Sequence, residues 1–148
     1  VVTMNALVIN GPNLNMLGIR EPDIYGRQTY DDLVELCRVA GQNEGFDTVD
    51  VYQSNHEGDL IDTIQQALGV YDGIVINPAA YTHTSVGILD ALKAVQIPAV
   101  EIHISAVDER EGFRQLSYAG MACFDRVVGE GLVGYAHALH ILKEHLSR

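Results

Sequence analysis

The chain predicts an α/β protein with a five-stranded parallel sheet covered by helices on both faces. Three observations carry that prediction. Short apolar runs alternate with longer stretches whose apolar residues recur at helical spacing. The length of 148 residues and the 47% apolar content suit one domain with a real core, spanning 1–148. No repeat, linker or low-complexity stretch divides the sequence. Alternating strands and helices are joined by right-handed crossovers and bury both faces of the sheet.

The elements follow in order. "ALVIN" (6–10) is a short buried strand. Leu33, Leu36, Cys37 and Ala40 recur at helical spacing, so 30–44 is the first helix, capped by Thr29 or Asp31 and ended by Gly45. "DTVDVYQ" (47–53) is the second strand. Leu60, Ile61, Ile64, Ala67 and Leu68 form the second helix, with Asp59 at its start and Gly69 at its end. "GIVIN" (73–77) is the third strand. Val86, Leu89, Leu92 and Val95 make the third helix's stripe, with Thr84 or Ser85 as its cap and Pro98 beyond its end. "AVEIHIS" (99–105) is the fourth strand and "CFDRVVG" (123–129) the fifth. Leu132, Tyr135, Leu139, Leu142 and Leu146 give the last helix one apolar face.

Composition narrows the function. A net charge of −11 argues against nucleic acid, whose phosphates attract Lys and Arg. No apolar run approaches the roughly 18 residues of a membrane span, and no basic segment followed by a long apolar one marks a signal peptide. Cys37 and Cys123 fall in unlike contexts, which favours two buried thiols and a reducing cytoplasm over a disulfide.

Ligands of open parallel sheets bind outside the carboxyl ends of the strands. Here strand one ends in "NGPN", strand three in "NPAAYTHTS" and strand four in "EIHISAVDEREGFR". Residues 10–29 form a long polar loop before any helix, a length that is usually functional in a compact domain.

Period-two alternation puts Glu101, His103 and Ser105 on one side of strand four. A Glu beside a His accepts a ring N–H, fixes the tautomer and favours the charged acid. An isolated E-x-H is as readily a self-satisfied buried pair, but its place beside two other polar loops favours a site. Arg20 lies five residues before Tyr25, and a nearby guanidinium lowers a phenol's pKa from its free value of roughly 10. Taken alone, Tyr25 reads as a surface residue packing on Pro22. Asn77 ends a strand, where its amide can point at a ligand. His83 is a capping or surface candidate, Arg110 and Arg114 are anion candidates, and His56 precedes a helix. His137 and His140 lie off the last helix's apolar stripe, and no set of Cys, His and carboxylates has metal-site spacing.

Familiar nucleotide folds fit poorly. "NGPNLNMLG" puts a proline where a dinucleotide fold needs its glycine turn. There is no P-loop, no hydroxyl-rich flavin phosphate loop and no acidic receiver cluster after strand one.

"GPNLNMLGIREPDIYG" (11–26), "SNHEG" (54–58), "INPAAYTHTSV" (76–86) and "VEIHIS…REGFR" (100–114) together resemble the type II 3-dehydroquinate dehydratases, over essentially the whole chain. The resemblance implies a flavodoxin-like fold and dehydration of 3-dehydroquinate to 3-dehydroshikimate, the third step of the shikimate pathway. It also implies action without metal or cofactor, and assembly as dodecamers built from trimers. Tyr25 stands at the family's catalytic base and Arg20 at the residue that stabilises the tyrosinate. His103 stands at the general acid, Glu101 at the residue orienting it, and Asn13 at the asparagine holding a water near the enolate oxygen. Asn77, His83, Arg114, Ile104 through its backbone and Ser105 through its hydroxyl match substrate-binding positions. Asp90 matches a residue reaching the site from a neighbouring subunit. On this reading residues 10–29 are a lid carrying the base. The chain departs from the family's usual pattern at Ala106, Asp108 and Gly112, and has "NPAA" where a glycine-rich version is common. None of these removes a proton-transfer residue.

Overall fold

The computed structural model describes residues 3–19, 27–106 and 111–148. Five strands, β1 (Asn5–Asn10), β2 (Thr48–Gln53), β3 (Gly73–Asn77), β4 (Ala99–His103) and β5 (Asp125–Val128), form one sheet in the order β2-β1-β3-β4-β5. Every pairing is parallel. This is the flavodoxin-like order, in which the direction of winding reverses between β1 and β3.

Helices α1 (Tyr30–Glu44) and α4 (Val133–Leu146) cover one face, and α2 (Glu57–Gln66) and α3 (Val86–Val95) cover the other. The split follows from strand alternation. Ala6, Val8, Val75, Val100 and Ile102 join one apolar cluster with Leu33, Cys37, Leu139 and Leu142. Leu7, Ile9, Ile74 and Ile76 join the other with Leu60, Ile64, Ile88 and Leu92. A strand buried on both sides has no solvent face to carry polar residues, so β1 and β3 read as unbroken apolar runs.

The caps resolve the choices the sequence leaves open. Thr29, not Asp31, starts α1: its hydroxyl accepts from Asp32 N (3.2 Å) while the Asp32 carboxylate accepts from Thr29 N (2.8 Å). Such a reciprocal cap stabilises a helix by about 1 kcal/mol. Ser85 caps α3 through Ile88 N (2.9 Å), and its hydroxyl donates to the Glu57 carboxylate at the start of α2.

Five elements shift from the sequence reading, β1 only by starting one residue early at Asn5. β2 begins at Thr48 because Asp47 is occupied with Met4, its carboxylate accepting from Met4 N at 2.6 Å. α2 begins at Glu57, because Asp59 turns its carboxylate back to accept from Ser54 Oγ (3.0 Å); it ends at Gln66, and Leu68 beyond it is exposed. β4 ends at His103, two residues early, where the chain leaves the sheet and Ile104 O accepts from Gly131 N (3.1 Å). β5 is trimmed to Asp125–Val128, since Cys123 N closes the short Ala119–Ala122 turn by bonding to Gly120 O (3.2 Å).

Candidate active site

The site is built where β1, β3 and β4 end. Asn10 and Asn77 are register partners at the tips of β1 and β3. The next residue, Gly11, runs against the β3 exit: its N–H donates to Asn77 O (2.7 Å), and a Cβ there would fall 2.4 Å from Pro78 O. No side chain fits that gap, which is why glycine stands in "NGPN". The fully buried Tyr135 of α4 joins the two asparagines. Its hydroxyl donates to Asn10 Oδ1 (2.6 Å) and accepts from Asn77 Nδ2 (3.0 Å). Burial pushes the Tyr135 phenol well above its ordinary value, so it stays neutral. Asn77 Oδ1 accepts from Ala79 N (3.0 Å), so both ends of its amide are oriented and one Nδ2 hydrogen is left for a ligand.

At the end of β4, Glu101 is completely buried and His103 is 3% exposed. His103 Nε2 donates to Glu101 Oε2 at 2.6 Å. The same oxygen accepts from Ser117 Oγ (2.5 Å) and Thr82 Oγ1 (2.9 Å), and Oε1 accepts from Arg126 Nε on β5 (2.9 Å). Gly120 closes the wall, since a Cβ there would fall 2.6 Å from Glu101 Oε1. Burial alone would raise the Glu101 carboxyl. Hydrogen bonds from His103, Ser117 and Thr82, with the His103 charge, outweigh it and hold the carboxyl at about 2. A buried anion with four donors is a rigid support for an imidazole whose other nitrogen, Nδ1, is turned away from it.

His83 closes the short Ala79–His83 turn after β3. It does not cap α3. Its Nδ1 lies 2.8 Å from Leu116 O, and because a carbonyl only accepts, Nδ1 carries the proton and Nε2 is an open acceptor. Burial, and then the charges of His103 and Arg114, hold His83 below its usual 6.5.

The remaining candidates fall as follows. Asn13 is exposed in a left-handed conformation (φ 72°), with its backbone N–H donating to Asn55 Oδ1 (3.0 Å). Ile104 is buried and Ser105 half-buried just beyond β4, so Ser105 is not a strand residue in line with Glu101 and His103. Arg114 ends the Gly112–Arg114 turn, half-buried, with its Nε 2.7 Å from Glu111 Oε2. Asp90 is exposed on α3, apart from the strand-end cluster. Tyr25, Arg20, Asp108 and Arg110, with residues 20–26 of the expected lid, lie outside the described residues. His137 and His140 pair with Glu130 and Glu44 on the surface. Among the described residues no cluster of three or more His, Cys, Asp or Glu is placed to hold a metal.

Several participants carry no sequence signal of their own. Thr82, Ser117, Arg126 and Tyr135 come from four separate segments and meet only in the fold. Asn55 and Gln53, at the end of β2, brace the first loop, with Gln53 Nε2 donating to Gly11 O (3.1 Å). "SNHEG" thereby supports the loop after β1, while His56 makes no side-chain cap bond to α2.

An open parallel sheet with oriented amides and a buried carboxylate–imidazole pair at its strand ends defines a small-molecule site equipped for proton transfer. A family model described as dehydroquinase class II matches residues 4–143. A 3-dehydroquinate dehydratase 1 of Corynebacterium efficiens is 51% identical over 148 residues, covering 99% of this chain and 97% of the relative. The crystal structure of a type II dehydroquinase from Butyrivibrio crossotus superposes with a TM-score of 0.91 at 51% identity, covering 95% of this chain and 97% of that one. That of a type II dehydroquinase from Propionibacterium acnes gives 0.90 at 41% identity, covering 97% and 99%. The chain belongs to the class II dehydroquinase family, and by that membership it is an enzyme of the dehydratase class.

Proposed function

We propose that the chain dehydrates 3-dehydroquinate to 3-dehydroshikimate, the shikimate-pathway step, through an enolate. The observation that carries this reading is the buried Glu101–His103 pair at the end of β4 (2.6 Å) in a member of this family. The substrate's ketone acidifies the neighbouring C–H. Tyr25, as tyrosinate stabilised by Arg20, takes that proton. The electron pair moves onto the ketone oxygen as an enolate, whose charge is met by donors, among them a water held by Asn13. The pair then returns to expel the hydroxyl. His103, oriented by Glu101, acts as the acid and protonates the departing oxygen, which leaves as water.

Asn77 offers its free Nδ2 hydrogen to the substrate, and His83 offers its Nε2 acceptor to a hydroxyl. Arg114, Ser105 and the Ile104 backbone take the remaining polar groups, the carboxylate included. The route needs no metal or cofactor. The whole chain works as one catalytic domain in the cytoplasm, in keeping with two free thiols, Cys37 and Cys123. Copies assemble as a dodecamer built from trimers, with Asp90 reaching a neighbour's site. Exposed apolar side chains at Phe113, Leu116 and Met121 are the kind of surface a second copy covers.

The test is incubation of the purified protein with 3-dehydroquinate while following the ultraviolet absorbance of the conjugated enone. An absorbance rise proportional to enzyme supports the reading. An unchanged spectrum at high enzyme concentration sinks it.

A further inference from the structure

Arg126 stands directly beside Glu101 in the sheet. The two are register partners across β4 and β5, so their side chains leave the same face side by side. Arg126 Nε donates to Glu101 Oε1 at 2.9 Å while His103 Nε2 donates to Oε2 at 2.6 Å. One buried carboxylate thus serves two cationic partners, one per oxygen. We propose that Arg126 is a positioning residue: by holding Glu101 from the side opposite His103, it loosens the carboxylate's grip on the imidazolium and makes His103 readier to give up its proton.

The inference rests on the reading of His103 as the general acid, and it deepens that reading. A carboxylate facing a single cation stabilises it fully. A second cation on the other oxygen offsets part of the negative potential at the first. Without Arg126, Glu101 would bind the imidazolium more strongly, giving an acid that is charged to higher pH but reluctant to transfer its proton. The Arg126 side chain is 33% exposed while that of Glu101 is wholly buried, so the pair reaches from solvent to the floor of the site.

The other charged and titratable groups near the pair do not supply this effect. The charges of His103, Arg114 and Glu101 reach His83, on the turn after β3, through space, but neither His83 nor Arg114, on the Gly112–Arg114 turn, holds the Glu101 carboxylate by a hydrogen bond. Cys123, preceding β5, is pushed up to about 12 by burial and then by the Glu101 charge, so it stays a neutral thiol. From α4, packed over β4, the buried titratable side chain is Tyr135, also neutral and bonded to the two asparagines.

The experiment is an NMR titration of the His103 imidazole in the unliganded protein, with the pH profile of kcat measured alongside. Variants are Arg126→Gln, Arg126→Met and Arg126→Lys. Loss of the charge in Gln and Met is expected to move the imidazole midpoint up by about half a unit to one unit. The alkaline limb of kcat moves with it, while plateau kcat falls and KM holds. The Lys variant, which keeps the charge, is expected to restore both. A Gln or Met variant titrating at the wild-type midpoint overturns the inference. So does failure of both to fold, which would make Arg126 a structural residue. The titration needs no substrate, so it reads the role of Arg126 even if 3-dehydroquinate is not turned over, and the two ideas fail separately.

Discussion

Glu101 is the residue on which most of the site's electrostatics turn. Its carboxyl is held at about 2 against an ordinary 4.5, so its folded value is depressed. Stability from this group is therefore fully present above about pH 4.5 and is lost as pH falls from there towards 2. Thermal melts between pH 6 and 3 should show a steep loss of Tm at the acid end in the wild type. Glu101→Gln, which has no proton to gain, should start lower at neutral pH and fall less steeply; parallel curves would contradict the assignment. At the same scale, Tyr25→Phe removes a proton acceptor and almost no volume. It is expected to lower turnover by about 10²–10⁴-fold with substrate binding largely kept, read from steady-state kinetics and direct binding. His103→Ala should impair loss of the hydroxyl more than removal of the proton. Exchange of the substrate's α-hydrogen with solvent deuterium would then survive better than product formation, whereas an equal fall in both would argue against a dedicated acid.

Among the elements, the β1 and β3 exits are the tightest joint. Gly11 lies against Pro78 with no room for a methyl group, and its N–H is tied to Asn77 O. Ala79, two residues past Asn77, takes a left-handed backbone (φ 53°) that an alanine adopts only under strain. The Asn77 side chain holds it there through the Ala79 N–H. Exchange between glycine and alanine should cost far more at the first position than at the second. Gly11→Ala must push the two strand ends apart and is expected to destabilise by about 2–4 kcal/mol. Ala79→Gly relieves backbone strain but frees the unfolded chain and gives up a methyl contact, so it is expected to stay within about 1 kcal/mol of the wild type. Urea unfolding of both variants provides the comparison.

For the whole molecule, the exposed apolar groups decide the expected behaviour. Phe113 (67% exposed), Leu116 (45%) and Met121 (58%) cluster along one segment of chain, in a protein of net charge −11. A chain so acidic repels copies of itself, so stable assembly needs apolar contact to overcome that repulsion. Light scattering is expected to find a dodecamer at neutral pH. Phe113→Asp and Met121→Asp are expected to yield smaller particles whose sheet and helices persist by circular dichroism. Unchanged particle size in both would place the contacts elsewhere.

The alternation of strand and helix was legible in the sequence because both repeats are local. Period two and period 3.6 follow from backbone geometry within a few residues, while the caps were narrowed only to Thr29 or Asp31 and to Thr84 or Ser85, between which the structure chose Thr29 and Ser85. The pairing of Glu101 with His103 was legible for the same reason, since two residues on one strand share a face. What only the tertiary structure decided was long-range. It includes the order β2-β1-β3-β4-β5, which sets β1 against β3 and brings Asn10 beside Asn77. It includes the length of β4, cut at His103 because the chain there turns to meet the exit of β5. It includes the gathering of Thr82, Ser117 and Arg126 on one buried carboxylate, and of Tyr135 on two asparagines. Each of these contacts joins residues 16 or more positions apart, beyond the reach of any local periodicity. They arise because a buried polar group must find partners wherever the packed chain brings them.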